Sequence, residues 1–178
     1  SAYFPSPFDE AVVLTMDGYL IKEDDLKAEL ESLYRFRTNN KTEVVGALLH
    51  QYMSQEGISF TAGEMLIEKL SGRGTFALTA LVYDGSDIHL IALNDDKAFE
   101  PFSYATVDGA FVACSESCSH RRLGGTTERE YDAAEMTICS SSGIETRRLL
   151  EKPIMPDIFQ GVYFGNVASM FRGKEVFQ

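Results

Sequence analysis

Cys114, Cys118 and His120 form a C-x3-C-x-H run, and thiolate and imidazole at such spacing are donors that zinc favours. A fourth ligand is not apparent and Cys114 falls in a strand-like stretch, so no metal is assigned. The glycines of SGRGT, Gly72 and Gly74, could cradle a phosphate with backbone N–H groups. They lead into a strand rather than a helix and lack a following Lys-Ser/Thr, so a tight loop is expected instead. His50 and His89 sit in helical and strand patterns, where an imidazole is more often packed or solvent-facing than catalytic. The stretch TMDGYL, residues 15–20, sets Asp17 beside Gly18 where a β-branched run gives way to a helical one. On local chemistry alone that pair is a turn closing a strand.

The elements that must position these residues are written in the periodicity. EAVVLT (10–15) reads as a buried strand. Glu23, Asp24 and Asp25 open a helix near 23–35, with Leu26, Leu30, Leu33 and Tyr34 on one face and acids where the helix dipole favours them. A second helix over about 42–55 carries Val45, Leu48, Leu49, Tyr52 and Met53, with Gly57 beyond its end. Thr61 and Glu64 fit a capping box opening a third, whose apolar face is Met65, Leu66, Ile67 and Leu70. Strands follow: TFALTALVY and IHLIAL flank the hairpin signal DGSD, FEPFSYATV and AFVACS flank Asp108-Gly109, and EMTICS pairs with IETRRLL across SSSG. A short polar passage at 117–125 has helical character. Helices grouped early with antiparallel strands after them give an α+β class.

Length and charge bound the function. A chain of 178 residues fits a single domain, 1–178, with a real core. Sixteen basic against 27 acidic residues give a net charge of −11, which disfavours nucleic acid and anionic membranes as partners. No apolar stretch approaches a membrane span of about 18 residues, and no basic-then-apolar leader is present, so a cytoplasmic location is expected. Three cysteines, an odd number, read as free thiols in a reducing compartment.

Four segments, in order and in register, resemble the glutaminase domain of class II glutamine amidotransferases, and most of all that of the amidophosphoribosyltransferases. VVLTMDGYLIKEDDLKAEL stands where that family has a strand ending in His-Asn-Gly before an amphipathic helix. NKTEVVGALLHQYM stands where it has Ser/Thr-Asp-Thr/Ser-Glu opening a helix. GTFALTALVYDGSDIHLIAL and FVACSESCSHRRLGG match its next strand start and its Ala-Ser-Glu-Ser segment, and DIFQGVYFGNVASMFRGKEVF matches the passage toward its synthase domain. The resemblance implies a four-layer αββα sandwich of two antiparallel sheets, the fold of N-terminal-nucleophile hydrolases, here expected to lack the family's first strands. With those strands gone, edge backbone groups and part of one sheet's inner face are expected to be uncovered.

It also implies where this chain departs from the family's chemistry. Asp17 and Gly18 occupy the positions of the oxyanion-hole Asn-Gly, and Asp17 puts a carboxylate where an amide donor belongs. Lys41, followed by Thr42, stands in place of the aspartate that holds the α-amino group of glutamine. The family's cysteine nucleophile has no counterpart among the 16 residues before Asp17. Ser1, with its own α-amine as base, is the sole substitute, but the resemblance aligns SAYFPSPFDE with the approach to the oxyanion strand, so an arbitrary start is expected.

Two functions stay open on these residues. One is a noncatalytic amidotransferase-like domain acting as a binding, regulatory or assembly module. The other is an active glutaminase of the amidophosphoribosyltransferase type, in purine biosynthesis, whose nucleophile-bearing segment lies outside this chain. Neither implies a cofactor. A small-molecule ligand or a partner subunit, in a homo- or hetero-oligomer, is expected, with Phe159, Val162, Tyr163, Phe164 and Phe171 of the tail as candidate contact surface or final core strand. Asp17, Gly18 and Lys41 should converge at one edge of the sandwich, with Asp17 and Lys41 either paired or pointing separately into solvent.

Overall fold

The computed structural model describes residues 2–5, 11–151, 170–171 and 174–175, with side chains over 11–151. Chain order is β1 (Ala2–Pro5), β2 (Ala11–Leu20), α1 (Glu23–Leu30), α2 (Lys41–Glu56), α3 (Phe60–Leu70), β3 (Gly74–Tyr83), β4 (Ile88–Asn94), β5 (Ser103–Val107), β6 (Ala110–Cys114), α4 (Cys118–Arg122), β7 (Arg129–Glu130), β8 (Glu135–Ser140), β9 (Gly143–Arg148), β10 (Met170–Phe171) and β11 (Lys174–Glu175). One sheet runs β1-β2-β3-β4-β8-β9 and a second β6-β5-β7, all pairs antiparallel; β10 and β11 form a separate hairpin.

Period-two alternation decides which face of the large sheet meets the helices. Val12 and Leu14 of β2, Phe76, Leu78, Ala80 and Val82 of β3, and Ile91 and Leu93 of β4 are buried on one face. They share a core with Leu26 and Leu30 of α1, Val45, Leu48 and Leu49 of α2, and Leu66, Ile67 and Leu70 of α3. The opposite face carries Ala77 and Ala92, small enough to let Phe102 and Tyr131 pack down from the second sheet with their rings stacked at 4.6 Å. Tyr131 is fixed there by its hydroxyl, which donates to Thr137 Oγ1 of β8 at 2.6 Å. Ser103 and Cys114 point to the outer side of the second sheet, where His120 of α4 covers them. The layers are therefore helices, sheet, sheet and a short helix, the αββα order that the resemblance implies. On the inner face beyond Phe102 and Tyr131, the cross-strand partners Val13 and Leu81 are 40% and 48% exposed.

Three local expectations are corrected. The helix expected near 23–35 ends at Leu30, and Leu33, placed on its apolar face, is 63% exposed in the following turn. The third helix is capped by Ser59, whose hydroxyl accepts the Ala62 N–H at 3.3 Å, rather than by a Thr61–Glu64 box; Thr61 is already inside the helix. Asp17-Gly18 is not a turn: β2 runs through it to Leu20, with Asp17 opposite Ala77 and Gly18 opposite Phe76.

Candidate functional site

Gly18 is required where it stands. Its φ is +120°, and a Cβ built there would lie 2.2 Å from the Thr75 carbonyl oxygen, so β2 and β3 approach more closely than any side chain permits. The neighbouring Asp17 side chain is exposed, and its Oδ1 accepts the Gly18 N–H at 2.9 Å. Two positions back, the Thr15 and Thr79 hydroxyls share a hydrogen bond at 2.9 Å across the strands.

The start of α2 meets this strand. Asn40 caps the helix, its Oδ1 accepting the Thr42 N–H at 2.9 Å, and Thr42 itself is buried. Lys41, the first helical residue, is partly buried and donates from Nζ to the Gly18 carbonyl. The structure thus joins Gly18 to Lys41 directly, 23 positions apart. Among the described residues, Asp17 and Lys41 do not form an ion pair: the ammonium is taken by the Gly18 carbonyl and the carboxylate by the Gly18 N–H.

Glu43 is a residue that sequence reasoning did not single out. It is buried in the first turn of α2, where its carboxylate accepts the Arg37 and Thr38 N–H groups, each at 2.8 Å, and the Thr38 hydroxyl at 2.6 Å. Burial pushes its carboxyl up, but the Thr38 hydroxyl and the two amides outweigh that and hold it below the usual carboxylate range. Lys27 grips the same loop from α1, donating to the Thr38 carbonyl at 3.3 Å and to Asn39 Oδ1 at 3.1 Å. The two side chains set the loop from which Asn40 and Lys41 emerge. An acid at the third helical position was the available signal, but its target, the loop before the cap, is visible only in three dimensions.

The other candidates lie elsewhere. His120 Nε2 is 3.2 Å from Cys114 Sγ and 3.0 Å from Ser103 Oγ, and Cys118 is buried at the start of α4. Burial pushes the Cys114 thiol up to about 11 and the His120 imidazole down, which keeps the pair neutral and leaves the thiol unactivated. All three cysteines are free. Among the described residues no group of three His, Cys, Asp or Glu side chains is arranged to hold a metal. His50 Nδ1 shares a hydrogen bond with the Tyr34 hydroxyl at 2.7 Å, and His89 Nε2 meets Asp84 at 2.9 Å. Ser1 and the tail residues Phe159, Val162, Tyr163 and Phe164 lie outside the described residues, and of Phe171 only the strand backbone is described. A groove of about 690 Å³ opens between the start of α3 and the β8–β9 hairpin, with Arg147 over the Phe60 ring at 4.5 Å, and none of Asp17, Gly18 or Lys41 lines it. No helix among the described residues is long and apolar enough to cross a membrane.

Comparison with known proteins bears on the strand and helix just described. The profile of the family described as "Glutamine amidotransferase domain" matches residues 5–119. The amidophosphoribosyltransferase of Archaeoglobus fulgidus is 30% identical over 169 residues, which are 94% of this chain and 36% of that protein. The amidophosphoribosyltransferase of Bacillus subtilis is 26% identical over 147 residues, 82% of this chain and 29% of that protein. Among solved structures, that of the allosteric regulatory enzyme of purine biosynthesis superposes with a TM-score of 0.80 at 25% identity, covering 98% of this chain and 36% of that one. The glutamine phosphoribosylpyrophosphate amidotransferase of B. subtilis, complexed with ADP and GMP, superposes with a TM-score of 0.78 at 26% identity, covering 98% and 37%. The chain spans about a third of the length of these relatives.

Proposed function

Because this chain belongs to the glutamine amidotransferase domain family, we propose that it is a glutaminase-like domain that does not hydrolyse glutamine and serves as a binding, regulatory or assembly module. The observation that carries this reading is the double engagement of Gly18, whose N–H is bound by the Asp17 carboxylate and whose carbonyl is bound by the Lys41 ammonium. Acyl transfer from glutamine builds a negative oxygen that needs free, preorganised donors, and losing one such donor costs about 3–4 kcal/mol of transition-state stabilisation. Here the backbone donor is engaged and the side-chain donor is replaced by an anion. At position 41 an ammonium would face the α-ammonium of glutamine, like charges that repel. A small-molecule ligand or a partner subunit, in the cytoplasm, fits such a module.

Ammonia release by the purified protein at millimolar glutamine tests this reading. The expected rate is that of an Asp17→Ala variant; turnover clearly above that control sinks it.

The relatives favour a second reading. They are amidophosphoribosyltransferases along nearly all of this chain's length, which supports a glutaminase unit of purine biosynthesis whose nucleophile lies on a segment outside these 178 residues. The same assay on the product of the complete coding sequence separates the two.

A further inference from the structure

We propose that the outer edge of β9 is a self-association surface, at which a second copy of this chain adds its own β9 antiparallel about a twofold axis through Thr146. β9 closes one end of the six-stranded sheet, and among the described residues no strand pairs with its outer side. Edge strands are commonly blunted by a proline, a bulge or a covering element. β9 has neither proline nor bulge: its six residues pair with β8 in unbroken register, and five of them are exposed.

The ladder decides which backbone groups face outward. The Leu149 N–H donates to the Ala134 carbonyl at 2.7 Å, one step beyond the Glu135–Arg148 partners. Bonded and unbonded pairs alternate in an antiparallel ladder, so Gly143, Glu145 and Arg147 turn their N–H and C=O groups to β8, while Ile144, Thr146 and Arg148 turn theirs away from it. A second strand must bond to those three.

Charge then selects the register and the partner. With Thr146 opposite its own copy, Ile144 faces Arg148 and Glu145 faces Arg147, in both directions. The outward groups of Ile144, Thr146 and Arg148 are then all used, and the Glu145–Arg147 pairs fall at the unbonded positions, where side chains lie closest. Glu145 and Arg147 of one chain already touch, Nε donating to Oε1 at 2.7 Å, and both stand exposed. The second copy completes a group of four charges of alternating sign. Moving the axis by one residue either way sets Glu145 against Glu145 or Arg147 against Arg147, like charges that destabilise a strand pair. The twofold operator makes the match reciprocal, so the strand that fits is β9 itself. None of Asp17, Gly18 or Lys41 belongs to β9, so the pairing is independent of whether glutamine is hydrolysed.

One strand pair is a small interface and weak association is expected, so sedimentation velocity of the natural chain is followed up to about 1 mM. A concentration-dependent dimer is the expected result, and a monomer throughout overturns the proposal. Glu145→Arg and Arg147→Glu each set like charges across the axis and should raise the dimer dissociation constant at least about tenfold. An equimolar mixture of these two variants should pair as tightly as the natural chain, since every facing pair is then opposite in sign; variants that had merely misfolded would not recover on mixing. Thr146→Cys reads the register: bonded partners have Cα atoms about 5.5 Å apart, within disulfide reach, so mild oxidation should link this variant beyond the natural chain. Ile144→Cys, four positions from its own copy along the partner strand, should not link. A dimer indifferent to both charge reversals, a mixture that stays monomeric, or a dimer that Thr146→Cys does not link overturns the proposal.

Discussion

The Gly18 N–H donates to the carboxylate of its own neighbour, Asp17, at 2.9 Å, within a strand paired along its whole length to β3. A backbone donor with a resident anion is unavailable to any other anion, which is the feature on which the proposed noncatalytic reading rests. On the noncatalytic reading proposed above, the charges at positions 17 and 41 are the obstacle to glutamine. On that reading, Asp17→Asn combined with Lys41→Asp should bind glutamine more tightly than the natural chain does. Titration calorimetry or ligand-observed NMR at millimolar glutamine reads this directly, and equal binding by both proteins would count against the electrostatic explanation.

The closeness of β2 and β3 predicts a graded glycine series. A Cβ at Gly18 would lie 2.2 Å from the Thr75 oxygen, and one at Gly74 would lie 2.0 Å from the Tyr19 oxygen. Gly85, in the β3–β4 hairpin, has φ +92° but open space around it. Gly85→Ala should cost only the left-handed backbone term, about 1–2 kcal/mol. Gly18→Ala and Gly74→Ala add displacement of backbone and should cost about 3 kcal/mol or more each. Urea unfolding of the three variants checks the order; equal losses would mean that the close approach is not what demands glycine.

Where the chain's local chemistry and its tertiary pairing agree, the sequence is readable. Leu26, Leu30, Leu48 and Leu49 are buried as their helical spacing predicts, and the hairpins at DGSD and Asp108-Gly109 form with Gly85, Asp108 and Gly109 all at positive φ. Asp17-Gly18 misleads because Asp-Gly is turn chemistry locally, whereas its actual partners, Ala77 and Phe76, lie about sixty positions away and override that preference. Leu33 misleads because periodicity does not report where a helix stops; α1 is over three residues earlier. The meeting of Gly18 with Lys41 was legible only through the family resemblance, and the Glu43 contacts not at all, since they depend on how a loop folds back onto its own helix.

Glu43 gives a pH prediction with a definite sign. Its carboxyl is held below the usual range in the folded protein, so its contribution to stability is present above the ordinary glutamate pKa and is lost as pH falls through the depressed folded value. Glu43→Gln keeps the shape but surrenders charge-assisted bonds to the Arg37 and Thr38 amides and the Thr38 hydroxyl. A loss of about 1.5–3 kcal/mol is expected at neutral pH, shrinking toward zero in acid as the natural chain loses the same charge. Urea unfolding at pH 7 and in acid measures it. A difference that stays constant across the range would assign the effect to packing.

Cys114 should be a poor nucleophile although it touches a histidine. Burial pushes its thiol up to about 11, and the Glu116 carbonyl, which accepts from Sγ at 3.2 Å, stabilises the protonated thiol rather than the thiolate. His120 cannot activate it, because burial pushes the imidazole down and disfavours the imidazolium that would stabilise a thiolate. At pH 8 the thiolate fraction falls roughly two hundredfold relative to an ordinary cysteine, and the greater basicity of the sulfur returns about tenfold of that. Alkylation of Cys114 in the folded chain should therefore run about twentyfold slower than in urea, before any shielding by α4 is counted. Iodoacetamide labelling followed by peptide mass spectrometry gives the rate at each of the three cysteines. Labelling of Cys114 in the folded protein as fast as in urea would show that the Cys114–His120 pair is poised for chemistry after all, and that this outer layer, not the β2–α2 junction, is where a reactive centre should be sought.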